Sequence, residues 1–138
     1  MFVKLLWLKR KEEYETLKKR ALDFYEEAKN ALESGRYDLA CFLAEQSAQL
    51  YLKSALLKMV GDYSRTHRLR QLLSELVKST SSERLKRFSE EYNVHLSSLE
   101  DAYIMAKYTT KHYTLRDSEE SIRLVEILSR MVEGEEGL

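Results

Sequence analysis

Lys107 and His112, with four residues between them, close a long helical pattern near the end of the chain, and no acid falls between Asp101 and Asp117. An imidazole can give or take a proton near neutral pH. A nearby cation can hold a phosphate, and Tyr103, Tyr108 and Tyr113 offer rings on which a base could stack. Lys111, beside His112, and Arg116 add positive charge to the same stretch. Phosphate or RNA chemistry is therefore the first reading of this segment.

Elsewhere the residue types argue against other chemistries. Three His and one Cys match no metal-ligand spacing, so no metal and no cofactor is expected. Cys41 lies in an apolar stretch and reads as a small buried hydrophobe. No Ser or Cys nucleophile has a base at a useful spacing. His67 reads as a helix-start residue packing under its loop, and His95 as a surface or rim residue.

The 138 residues suffice for one domain with its own core. Lys+Arg and Asp+Glu both number 23, so any attraction for a polyanion must come from local patches. With no Pro and only 4 Gly the chain lacks most residues that break helices. Phe2 to Leu8 is too short and too interrupted for a signal peptide and reads as the first turns of helix 1. No run reaches the ~18 apolar residues of a membrane span. The expectation is a cytoplasmic protein without membrane association, and the Lys, Glu, Arg and Tyr content suits a thermophile.

Apolar spacing predicts an all-α, up-and-down bundle of four to five antiparallel helices in a single domain, 1–138, with 133–138 a frayed tail. Helix 1 carries Leu17, Ala21, Phe24, Ala28 and Leu32 and stops at Gly35. Helix 2 runs from about Tyr37 to Val60, is the most apolar and should be central; its Glu45 and Gln46 need polar partners. Helix 3 follows a Thr66 cap. Helix 4 opens at a Thr80–Glu83 capping box and runs unbroken through Asn93 to Ala106. Helix 5 opens at an Asp117–Glu120 capping box.

If successive helices are antiparallel, three segments without acids gather at one pole. They are Lys4, Lys9, Arg10 and Lys11; Arg65, His67, Arg68 and Arg70; and Lys107, Lys111, His112 and Arg116. Such a pole would make a neutral protein a phosphate or RNA binder.

The segment Gly35-Arg36-Tyr37-Asp38-Leu39-Ala40, then Phe42-Leu43-Ala44-Glu45-Gln46-Ser47-Ala48, Leu52-Lys53-Ser54-Ala55-Leu56-Leu57 and Thr66-His67-Arg68-Leu69 with Leu72-Leu73, resembles the HEPN domain family over most of the chain. The resemblance implies a helical bundle and a functional signature of an Arg, four to six residues, and a His. His112 matches the His; Lys107 stands where the family has Arg. In active members two protomers of a dimer supply these residues and cleave RNA without metal. The His moves protons and the guanidinium holds the phosphate. A lysine neutralises charge but lacks the planar fork.

What the resemblance implies is a homodimer that binds RNA or nucleotide and acts as a weak metal-independent ribonuclease. His112 and Lys107 would be catalytic, with Lys111, Tyr108, Tyr113, Arg116, Arg65 and Arg68 binding. The alternative it implies is a non-catalytic partner of a small nucleotidyltransferase, as in toxin–antitoxin pairs. Some such members carry a modified Tyr two positions after the His, where this chain has Thr114.

Overall fold

The computed structural model describes residues 2–108, 110 and 112–136, with the backbone alone at Ala106. Within them are six helices and no strand: α1 (Phe2–Glu33), α2 (Tyr37–Met59), α3 (Leu69–Thr80), α4 (Glu83–Glu91), α5 (Asn93–Tyr108) and α6 (Leu115–Glu136). The all-α expectation holds, and the helix count rises because the expected helix 4 is two helices. Tyr92 leaves helical geometry at φ −101° and ψ 16°, yet helical hydrogen bonds flank it on both sides, Tyr92 N to Phe88 O and Leu96 N to Tyr92 O. The apolar rhythm runs across this break because Leu85, Phe88, Leu96 and Leu99 all join one core.

α2 is the axis of the fold, packing against α1, α3, α5 and α6. Its alanines make this possible. Ala40, Ala44, Ala48 and Ala55 are buried, as are Ala21, Ala28 and Ala31 of α1, and the two helices approach closely enough for Ser47 Oγ to donate to the Ala21 carbonyl at 2.7 Å. Leu52, Leu56, Leu69, Leu72, Leu73, Leu76 and Leu128 fill the remaining core. Gly35, at φ 75°, makes the left-handed turn between α1 and α2, with Arg36 N bonded to Ala31 O, where a residue with a Cβ would be strained.

Successive helices are not all antiparallel. The α2–α3 connection, residues 60–68, runs back along α2, so that His67 stacks on Tyr103 of α5 and α3 proceeds in the direction of α2. α6 is parallel to α2 as well. The start of α6 meets the start of α2, with Ser121 Oγ 3.6 Å from Cys41 Sγ. At the other end Lys18 of α1 reaches Glu136 at 3.0 Å, and Lys58 of α2 lies over the Tyr14 ring.

Two further expectations are corrected here. The tail is helical as far as Glu136, whose carboxylate is buried and bonded by Tyr14 and Lys18; this ordered end replaces the expected fraying of 133–136. The single positive pole does not form. The first turns of α1 lie near Gly61, against which Arg10 packs, whereas the His112 loop lies at the opposite end of α2, beside Asp38. Return of the α2–α3 loop breaks the parity on which the pole depended.

Candidate functional site

The site begins with the first turn of α2. Asp38 is favoured there by the helix dipole. Its carboxylate binds two consecutive residues of the α5–α6 loop. Oδ1 accepts from Tyr113 N at 2.6 Å, and Oδ2 lies 3.2 Å from His112 Nδ1. The other side of the loop is fixed by a reciprocal capping box, Asp117 N to Thr114 Oγ1 at 3.1 Å and Thr114 N to Asp117 Oδ2 at 2.8 Å. Thr114 thus takes the capping role expected of Asp117, and Ser82, bonded by Leu85 N, takes the one expected of Thr80.

A carboxylate at Nδ1 favours the tautomer with its proton there, which turns the Nε2 lone pair away from Asp38. The His112 side chain is 87% exposed, so the ring is open to solvent among the described residues. This arrangement orients an imidazole without metal. Asp38 escaped the sequence reading as a functional residue because it lies 74 positions from His112, and no local spacing links the two.

Lys107 is held elsewhere. Its Nζ donates to the Tyr103 hydroxyl at 3.3 Å and lies 4.4 Å from the centre of that ring. Tyr103 is covered further by His67, with ring centres 4.6 Å apart, and by Phe42. A ring so packed offers no free face to a base. Tyr108 is 73% exposed and keeps that capacity. Tyr113 is half-buried with its hydroxyl turned inward; burial, then Cys41, Asp101, Asp117 and Asp38, hold its phenol up to about 12. Packing therefore withdraws Tyr113 from the stacking role read in the sequence.

Arg116 pairs with Glu120 at 3.0 Å. Lys111 lies outside the described residues. Arg65 and Arg68 are exposed on the returning loop, and Arg68 is the N-cap of α3, with its backbone N–H donating to Thr66 Oγ1. Burial and the nearby Arg65 charge lower the pKa of Lys53, which Glu45 opposes, and the Lys53 ammonium lies over the Tyr63 ring. The structure thus brings together His67 and Lys107 around Tyr103, and Lys53 with Arg65, while it sets His112 against Asp38 and the Tyr113 phenol near Asp101, Asp117 and Asp38.

Beneath this face lies Glu45, fully buried, bonded by Gln49 Nε2 at 2.9 and 2.6 Å and by Gln46 Nε2 at 2.8 Å. Burial pushes its carboxyl up to about 7, against the opposing amides and Lys53. These are the polar partners that α2 required. Glu100, nearby on α5, accepts from both the backbone N and Nε of Arg70 and so closes the start of α3.

Residues 14–135 match the HEPN domain. TT1696 from Thermus thermophilus is similar in structure, with 25% identity, a TM-score of 0.76, and 88% of this chain and 97% of that chain covered. ST0689, an archaeal HEPN homologue, is similar at 26% identity and a TM-score of 0.65, over 88% of this chain and 95% of that one. No curated protein is significantly similar. The match over the body of the bundle, including Asp38 and His112, means that this chain belongs to the HEPN domain family.

Proposed function

We propose that this protein binds RNA and cleaves it slowly without a metal ion, using His112 as the proton-transfer group and Asp38 to position it. The observation that carries the reading is the Asp38–His112 pair, with Nδ1 held at 3.2 Å and Nε2 left to solvent. An imidazole so held can take the proton of a ribose 2'-hydroxyl as that oxygen attacks the adjacent phosphorus. As the bond from the 2'-oxygen to phosphorus forms, the bond to the 5'-oxygen breaks; the 5'-oxygen takes a proton from water, a 2',3'-cyclic phosphate remains, and His112 returns its proton to solvent. Lys107 would neutralise charge growing on the phosphoryl oxygens, while Lys53, Arg65 and Arg68 would hold flanking phosphates and Tyr108 would stack on a base. Lys107 and His112 each engage a different neighbour within the chain, Tyr103 and Asp38, which suits a site completed by a second copy.

The test is incubation of wild type and His112→Ala with mixed-sequence single-stranded RNA in EDTA. Wild-type products ending in a 2',3'-cyclic phosphate, absent with the variant, support the reading; equal inertness of both overturns it. A second reading, the non-catalytic partner of a nucleotidyltransferase, is favoured by the aspartates Asp38, Asp101 and Asp117 around Tyr113, which repel a polyanion and suit a protein surface. Co-purification of a transferase with an inert but folded protein would select it.

A further inference from the structure

The first twelve described residues of α1 are the least explained part of the molecule. Every residue from Phe2 to Glu13 is exposed, and with Arg10 packed on Gly61 and Glu13 accepting from the Tyr63 hydroxyl at 3.3 Å, it is Phe2 to Lys9 that project, by about 12 Å; the HEPN match begins only at residue 14. This overhang contains Phe2, Val3, Leu5, Leu6, Trp7 and Leu8, exposed by 45% to 77%. At 3.6 residues per turn, Val3, Leu6 and Trp7 continue the side that is buried further along as Leu17, Ala21 and Ala28, whereas Leu5 and Leu8 fall on the opposite side.

Charge narrows the choice of occupant. Lys4, Lys9, Arg10 and Lys11 are the only charged residues from Phe2 to Lys11, and the first turn of α1 holds no acid, so side chains and helix dipole add to one positive potential. Arg10 packs on Gly61, and Lys11 lies 5.5 Å from the centre of the Trp7 ring. A second copy of this segment would set four cations against four. A single partner helix would cover one side and leave the other apolar side wet. An anionic lipid surface supplies negative charge and surrounds the apolar residues on both sides.

We propose that the Phe2–Lys11 segment docks on an anionic lipid surface, with its apolar side chains entering the boundary between headgroups and acyl chains and its lysines on the headgroups. No described helix is long and apolar enough to cross a membrane, and none needs to. The overhang lies at the C-terminal end of α2 and Asp38 at its start, about 34 Å away along 23 residues, so the docked protein keeps His112 in water.

Trp7 is the only tryptophan, which makes its fluorescence a report from this segment alone. The full chain is titrated with phosphatidylcholine vesicles and with vesicles containing phosphatidylglycerol. The expected result is a blue shift with the anionic vesicles alone, lost in Leu5→Glu/Leu8→Glu and weakened about fivefold per cation in Lys9→Gln/Lys11→Gln. Helical circular dichroism of each variant guards against misfolding. No shift with anionic vesicles, an equal shift with neutral ones, or a lipid-independent shift that tracks protein concentration would overturn the proposal, the last in favour of a second copy. None of these outcomes bears on RNA cleavage.

Discussion

At the scale of single residues, the fold holds two carboxylates in opposite circumstances. Asp38 is half-exposed and bonded by the His112 loop, so it works as an ordinary acceptor. Glu45 is sealed in the core, and burial pushes it up to about 7 from 4.5. Between those two values the native protein keeps a proton that the unfolded chain has released. The Glu45 contribution to stability therefore falls as pH rises from 4.5 to 7 and levels off above, by on the order of 3 kcal/mol in all. Urea unfolding of wild type and Glu45→Gln across this range should show the variant gaining on wild type as pH rises; parallel curves would mean that Glu45 titrates normally. The need of Glu45 for polar partners was legible from its place on an apolar helix, but whether they lay in the core or on a second copy was not. Gln46 and Gln49 share a helix with Glu45, whereas Asp38 meets His112 only through the packing of α6 on α2.

At the scale of elements, the sequence revealed most helix cores and fewer of their ends. Gly35 stops α1 as expected, because a left-handed turn favours glycine strongly. The break at Tyr92 was invisible because both halves present apolar residues to one core. The caps expected at Asp117 and Thr80 are displaced to Thr114 and Ser82, since several Ser, Thr and acidic residues near each start offer the same spacing. Thr114 has a double duty, capping α6 and ending the loop that Asp38 holds. Thr114→Ala should cost about 1 kcal/mol of stability, read as a lowered thermal midpoint. An unchanged midpoint would show that Ser118 or water replaces the cap.

At the scale of the molecule, one topological fact decides the charge map. Antiparallel succession would have gathered three basic segments at one end, but the α2–α3 loop returns along α2 and distributes them. No periodicity reports such a return, because the loop has none. RNA bound along this face should lose affinity with salt, and Arg65→Gln should reduce the slope of log K against log salt by about 0.7 if it meets one phosphate; an unchanged slope would take Arg65 out of the interface. The central claim is that Asp38 and His112 act together, and its most direct measurement is the single-turnover rate of RNA cleavage in EDTA for wild type, Asp38→Asn and His112→Ala. The account predicts a loss of about 10²–10⁴ for His112→Ala and an intermediate loss for Asp38→Asn, with cyclic phosphate ends throughout. Cleavage by Asp38→Asn at the wild-type rate, or by His112→Ala undiminished, would contradict it.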